Sequence, residues 1–551
     1  MKKKKIVINT DFPLLKTGLG RNGKELVNWL YKTGKYDLIY YACGVPWFNP
    51  DYDRFPYKVV GALPNDPREF EQLQKDPAQI RDASYGAFNI DRVIKEFKPD
   101  VLITSNDSWG STPYLSRIWW NKVHCIPQIT LDSLPFLPDQ KKYIENSKKF
   151  YVWADFAEKE AKRLGYNNVE VLTGIINPQY FYKLSKLEKL ENRGKYNIPS
   201  NAFITGFVFR NQLRKETSQL IEGYSIFKKQ NPEIKNTYLL LHTHFSEGWN
   251  IPLLCEEHGV NKTEILTTYI CRNCKEIEIK TFIGQDLDCK YCGVKGSPQG
   301  SGQTTCNVQL GCTEEELNVV YNLMDLYLHC ANAGGLEIPI CEALYTELPL
   351  ATMAYSSCEM FTYQPFVTSI DFAWSVQHGT QFKRATPYAS AIAKVLKKFY
   401  HMNTQEREKL GKQGREWAIG KFSPDVVCKQ WENILDALPD VTWDYNFNPE
   451  PKDPTATIEN SSDDAVWVKE MYKKILKMDV ADNDSGLNYW LGALKNGMPR
   501  NQIEAYFRNV AAEENNKSGI QQASFEDTLN KSDKHRVLIT YEQAPSEYHG
   551  D

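Results

Sequence analysis

Residues 6–31 carry the decisive reading: Ile6-Val7-Ile8 is a short β-branched run, Thr17-Gly18-Leu19-Gly20 a glycine loop, and Lys24 to Tyr31 a helical stretch. Strand, glycine loop and helix in that order open a nucleotide-binding α/β unit. Glycines after a first strand let backbone amides approach a phosphate or sugar at a helix N-terminus, although an ordinary tight turn has the same composition. The alternation continues, with strands expected at Leu38 to Tyr41, Val101 to Ile103, Val123 to Ile129, Lys148 to Trp153 and Val169 to Leu172. Helices are expected at Phe88 to Phe97 and Phe156 to Leu164. This spacing predicts a doubly wound parallel sheet.

The charged segment Lys183 to Lys195 reads as an interdomain linker, after which the pattern restarts. Strands are expected at Phe203 to Phe209, Tyr238 to His242, Leu326 to Leu328 and Pro349 to Met353. Helices are expected at Ser218 to Lys229, Glu314 to Met324 and Cys341 to Tyr345. Tyr388 to Tyr400, Thr404 to Lys421 and Val426 to Leu438 read as helices closing this core. The fold class is therefore α/β, with two Rossmann-like domains at 1–185 and 196–425, a closing helix at 426–440, a Pro-, Asp- and Asn-rich linker at 441–463, a small all-α module at 464–518 and a disordered tail at 519–551.

Composition bounds the function. The chain has 551 residues, 42% hydrophobic and 25% charged, and a net charge of −3 from 66 basic and 69 acidic residues. That excludes a disordered chain and a globally polycationic binder of nucleic acid, but not a local basic groove. The opening MKKKKIVINT has no apolar stretch long enough for a signal peptide, and no run is long enough for a membrane helix. A cytoplasmic location is expected, or the host cytoplasm if the gene is carried by a phage.

In that reducing compartment clustered cysteines are more readily metal ligands than disulfides, and of the thirteen the nine outside the cluster described next read as ordinary reduced residues. Cys271-x-x-Cys274 and Cys289-x-x-Cys292, fourteen residues apart, are spaced as the two knuckles of a zinc ribbon. The insertion, at 262–300, would hold a structural Zn2+ with no open coordination position. It serves either as a clip or as a finger gripping an acceptor. Its six Lys/Arg against five Asp/Glu give the second role little support. Asp51-Tyr52-Asp53 and Asp482-Asn483-Asp484 imitate metal motifs without the required context. His242-Thr243-His244, at a strand's end, is read as a poor metal pair.

Two further stretches bear on chemistry. Gly206-Phe207-Val208-Phe209-Arg210-Asn211-Gln212-Leu213-Arg214-Lys215 places cations at the carboxyl end of a strand, where a diphosphate would sit. Ala333-Gly334-Gly335-Leu336-Glu337-Ile338-Pro339-Ile340-Cys341-Glu342-Ala343 follows another strand and leads into Glu347-Leu348-Pro349. In this order along two Rossmann units, the segments resemble the GT-B glycosyltransferases, particularly the retaining family four, over roughly residues 6–438.

The resemblance implies a nucleoside-diphosphate sugar as donor, UDP-linked by preference, with Arg210 and Lys215 holding the diphosphate and Glu342 bonding the ribose. Gly18 and Gly20 would lie against the diphosphate and sugar, and the backbone of Gly335, Leu336 and Glu337 would face that sugar. Cations would replace a catalytic metal at the leaving group. Two departures stand out. Gly334 occupies the position where the family usually carries its first Glu, with Glu337 covering part of that role. The family's first-domain histidine is replaced by Asn106-Asp107. Asp107 or Asp132 is then the candidate to orient an acceptor hydroxyl, a helix cap or loop hydrogen bond being the plainer role for each.

The C-terminal piece, with Trp467, Met471, Trp490 and Phe507, resembles a helical domain of unknown function appended to bacterial and phage glycosyltransferases. The favoured acceptor is a hydroxymethylated base, 5-hydroxymethylcytosine, in duplex DNA, with Trp109, Trp119, Trp120 or Trp249 available to support an extruded base. A cell-envelope or surface glycan is the alternative, and a non-catalytic binding module the alternative of another class.

Overall fold

A computed structural model describes residues 3–443, 452–513 and 515. The expected tail 519–551 and part of the expected linker, 444–451, lie outside the described residues. The chain divides into a large unit ending at Thr442 and a small one beginning at Trp443.

The large unit holds two large sheets and a two-stranded ribbon of Phe372–Val376 with Lys383–Pro387. The first runs β3-β2-β1-β4-β5-β6-β7, all parallel. Its strands are β1 (Lys4–Asp11), β2 (Tyr36–Pro46), β3 (Lys58–Leu63), β4 (Val101–Asn106), β5 (His124–Ile129), β6 (Phe150–Val152) and β7 (Val169–Val171). Strand order reverses between β1 and β4, which opens a crevice at their carboxyl ends.

The second sheet runs β11-β10-β9-β8-β13-β14-β15, with β12 paired to β10. Here β8 is Phe203–Val208, β9 Thr237–His242, β10 Ile265–Cys271, β11 Ile277–Thr281, β12 Gln303–Thr305, β13 Leu326–His329, β14 Leu350–Thr352 and β15 Val367–Ser369. Its order reverses between β8 and β13. The cysteine-bearing insertion is therefore not a separate ornament. Its first strand, β10, pairs parallel with β9, and β11 and β12 add antiparallel to β10, so the insertion grows out of the sheet's edge.

Two sequence expectations change. The segment read as a linker is the helix Lys186–Lys195, started by Ser185 in a reciprocal cap with Glu188. Leu187 and Leu190 are exposed, so no apolar stripe announces it. Polar bonds hold it instead: Lys189 and Arg193 pair with Asp325 at 2.9 and 2.8 Å, and Arg193 donates to the carbonyls of Ser200, Ala202 and Leu323.

The last helix, Pro424–Ala437, closes the core of the first sheet rather than the second. Val427, Cys428, Trp431 and Leu435 pack with Ile6, Ile8, Leu26, Leu30 and Tyr151. A side chain the size of Trp431 removes about 200 Å² from water, worth about 5 kcal/mol before entropy is counted. The chain thus crosses back, and its second half is bolted to its first.

Among the described residues no helix is long and apolar enough to cross a membrane. In the small unit, the helices Asp464–Lys474, Ser485–Lys495 and 500–513 enclose a core of Trp467, Val468, Met471, Leu487, Trp490, Ile503 and Phe507. The aromatic spacing of this stretch is explained by that core.

Candidate functional site

The switch point of the second sheet gathers the residues singled out by sequence. After β8 the chain passes Arg210 and makes a short turn over Leu213–Lys215. After β13 it reaches the glycine turn 334–335, and the helix Ile338–Tyr345 starts with Glu337 as its N-cap residue.

Lys215, buried, sets its Nζ 3.1 and 2.9 Å from the two carboxylate oxygens of Glu337. His329, at the end of β13, places Nε2 3.3 Å from the same carboxylate. Burial alone would raise the pKa of Glu337, but Lys215, and then His329, pull it well below the usual carboxylate range. Arg214 donates to the Ala333 carbonyl at 2.6 Å and lies 3.9 Å from Glu337. Arg210 is half-exposed, with its Nε 3.1 Å from Glu247.

Gly334 explains the missing acidic residue. A Cβ built at 334 would lie 2.0 Å from Glu337 Oε1, so the Glu337 carboxylate fills the space a side chain at 334 would need. The acidic group is delivered into that space from three residues further along.

Glu342, one turn into the helix, is 1% exposed. Arg21 reaches it at 2.6 Å and the Tyr321 hydroxyl donates to it at 2.7 Å. Neither partner was singled out by sequence, although Arg21 directly follows Gly20. Gly18 and Gly20 stand in the first turn of the helix Gly18–Thr33 rather than in a loop ahead of it. Thr17 Oγ1 accepts from the Gly20 amide at 3.0 Å and so starts the helix at Gly18. Gly18 matters for approach: its Cβ would fall 2.5 Å from Ile338 Cδ1 of the facing domain.

The first sheet's crevice faces this assembly. Asp107 follows β4 and accepts a hydrogen bond from Thr130 Oγ1 at 2.7 Å. Desolvation raises its pKa to about 6, with Asp132 and Asp11 adding to the rise and Thr130 and Arg214 opposing it. The segment 130–134 meets the second domain directly. Ser356 Oγ lies 2.7 Å from the Asp132 carbonyl, Arg384 donates to Ser133 Oγ at 2.6 Å, and a Cβ on Gly335 would lie 2.6 Å from Thr130 Cβ. Leu336 also reaches across, its Cδ2 being 3.0 Å from a Cβ built at Gly174.

The aromatic candidates divide. Trp119 and Trp120 are core residues, 1% and 3% exposed, donating to Asp91 and the Asn146 carbonyl, so neither is placed to support an extruded base. Trp109 packs edge-on to Tyr85, and Trp249 donates to the Leu213 carbonyl.

In the insertion, one sulfur from each of Cys271, Cys274, Cys289 and Cys292 lies within 4.8 Å of the other three. The Cys271–Cys292 and Cys274–Cys289 pairs are 3.8 and 3.7 Å apart. Two thiolates on one tetrahedral zinc, each about 2.3 Å from it, stand roughly 3.8 Å apart, so the four sulfurs fit such an ion. The turns that aim them need left-handed backbone at Lys275 and Gly293.

No protein-family model matches the sequence, and no curated protein matches it. Solved structures do match its fold. A glycosyltransferase from Rickettsia africae is similar at 15% identity and a TM-score of 0.54, covering 80% of this chain and 99% of that one. Sucrose-phosphate synthase from Thermosynechococcus elongatus gives 15% and 0.54, covering 79% and 99%. Anabaena HepE in complex with UDP and glucose gives 11% and 0.53, covering 79% and 100%. The large unit has the GT-B fold.

Proposed function

We propose that this chain transfers a sugar from a nucleoside diphosphate, UDP by preference, to a hydroxyl acceptor with retention of anomeric configuration. One observation carries the reading: Arg210, Arg214 and Lys215 follow β8 at the second sheet's switch point, where Arg214 and Lys215 reach the glycine turn and the start of the helix that carries buried Glu342. UDP in the structure of HepE, which shares the fold, supports the choice of carrier.

In this reading Arg210 and Lys215 stabilise the charge that develops on the leaving diphosphate, each contributing about 3 kcal/mol. Glu337 is a positioning residue that holds the Lys215 ammonium at the turn. Gly18 and the backbone of Gly335 and Leu336 leave room for diphosphate and sugar. Glu342 exchanges Arg21 for the ribose hydroxyls. Asp107, whose pKa burial raises to about 6, orients the acceptor hydroxyl. A zinc ion in the four-cysteine cluster holds the insertion together and has no open position for substrate. Reduced thiols of this kind suit a cytoplasmic location.

The acceptor is assigned to a glycan. The insertion's cations are largely consumed by its own acids: Arg272 pairs with Asp286, Lys280 and Lys290 with Glu278, and Lys295 with Asp288. That leaves little cationic surface for a phosphate backbone. Labelled nucleotide sugars should be offered with simple glycans and, alongside, duplex DNA containing 5-hydroxymethylcytosine. Label on a glycan, lost in Arg210→Ala, is the expected result. Label on the DNA would replace the acceptor and keep the enzyme. Neither transfer nor donor hydrolysis with any sugar would make the chain a binding module.

A further inference from the structure

A second set of soft ligands stands at the root of the insertion. His242 closes β9, Cys306 follows β12, and Cys312 precedes the helix Glu314–Leu323 by its cap residue Thr313. The end of β9 and two cysteines on one short turn far along the chain thus bring one imidazole nitrogen and two sulfurs within 4.8 Å of one another. Cys306 Sγ and Cys312 Sγ are 3.6 Å apart, which nearly repeats the spacings inside the four-cysteine cluster. A disulfide would draw them to about 2.05 Å.

The imidazole is already oriented. His242 Nδ1 lies 3.0 Å from Thr268 Oγ1, which leaves Nε2 as the nitrogen for a metal, and such an outer partner is what usually fixes the ring of a metal-binding histidine. His244, beyond the end of β9, is engaged elsewhere: its Nδ1 lies 3.1 Å from the Thr305 carbonyl and 3.0 Å from the Thr305 hydroxyl. The pair His242-Thr243-His244 therefore fails as a metal site, while one of its members joins a different one.

We propose that His242, Cys306 and Cys312 form a second metal site for a soft divalent cation of the zinc class, with three protein ligands and one coordination position left for a small exogenous ligand. Two thiolates and a neutral imidazole balance the charge of such an ion. That balance is what allows two thiolates to sit among Ile270, Ile277, Leu310 and Leu317.

The site also reaches the cleft. Between the two cysteines the chain turns over Asn307 to Gly311, closed by the Asn307 amide on the Leu310 carbonyl at 3.0 Å. A Cβ at Gly311 would be 3.8 Å from Lys16 Cγ, one residue before the Thr17 cap. Glu314, just past Cys312, pairs with Lys24 at 3.6 Å. A metal here staples the segment that the first domain's glycine turn rests against.

Native mass spectrometry of the full chain, purified with zinc under reducing conditions, tests the site. Two ions per chain are expected in the wild type. Cys306→Ser with Cys312→Ser should lose one ion, and Cys271→Ser with Cys274→Ser should lose the other. Cobalt titration of the unsubstituted apo-protein needs no variant to fold and should end at two equivalents, with thiolate-to-cobalt charge-transfer absorption growing through both. A single ion whose count is unchanged by Cys306→Ser and Cys312→Ser, an end point at one cobalt equivalent, or a Cys306–Cys312 disulfide in the freshly isolated protein would overturn the proposal.

Discussion

The two large sheets share the strand order of their parallel cores and differ in the charges that follow their strands at the switch points. In the first, Asp11 ends β1, Asp107 follows β4 and Asp132 follows β5. In the second, Arg210, Arg214 and Lys215 follow β8, partnered by Glu247 and Glu337. Strand order alone gives both crevices equal claim to a ligand. Charge separates them, because two unit charges 4 Å apart interact by about 4 kcal/mol at a protein surface. In the proposed reading a diphosphate is drawn to the strand end that carries the cations and repelled from the acidic one. The lesson is that duplicated architecture decides where ligands can bind, and the residues just beyond the strands decide which ligand goes where.

The strongest way to break this comparison is Lys215→Ala. It removes the donor-side cation and leaves the Glu337 carboxylate buried without its main partner. We expect turnover to vanish and stability to fall by about 3–5 kcal/mol in urea denaturation. A stability loss below about 1 kcal/mol would mean that Glu337 does not depend on Lys215.

Arg210→Ala is the cleaner cut, because its pair with Glu247 is half-exposed and worth little to folding. Turnover should fall by about 100-fold or more with an unchanged unfolding midpoint. Comparable losses in both quantities would place Arg210 in the scaffold rather than at the leaving group.

Gly18→Val sharpens the comparison from the facing side, by pushing a side chain into Ile338 where the two halves touch. A cost of about 1–3 kcal/mol is expected, read as a higher donor KM in steady-state kinetics. An unaltered KM would mean that this approach is not part of donor binding.

The smallest effect belongs to the acidic crevice. Burial raises the pKa of Asp107 to about 6, so its ionised form opposes folding above that pH and protonation relieves the penalty below it. Asp107→Asn should therefore be the more stable protein at pH 7, with an advantage that shrinks as pH falls through 6 toward 4. Its activity profile should also lose the acidic limb near pH 6. A pH-independent difference in stability between the two proteins would contradict the placement of Asp107 in a desolvated crevice.

Much of this was legible in the sequence because it depends on local pattern. The core strands are β-branched runs, the cysteine knuckles have fixed spacing, and Glu337 and Glu342 stand beside a glycine turn. What escaped depends on partners remote in the chain. The helix Lys186–Lys195 is held by Asp325 and by backbone carbonyls, and periodicity cannot register such bonds. The strand β3 is short and contains Gly61, whose Cβ would meet the Pro46 carbonyl at 1.9 Å, a contact no spacing rule anticipates. Arg21 and Tyr321 are ordinary helix residues until the fold sets both against Glu342. Cys306 and Cys312 looked like unremarkable reduced thiols because their third companion, His242, is more than sixty residues away.

Gly334 has a consequence for the history of the site. Positions 334 and 337 compete for one volume, so the effect of a substitution at either depends on what the other holds. A chain that moved its acidic residue between the two by single steps would pass through a form with no carboxylate in that space, or one with two side chains competing for it, since a Cβ at 334 alone would stand 2.0 Å from Glu337 Oε1. Neither form keeps Lys215 properly partnered. Each residue therefore makes the other hard to change, and a substitution at 334 should be tolerated only together with one at 337.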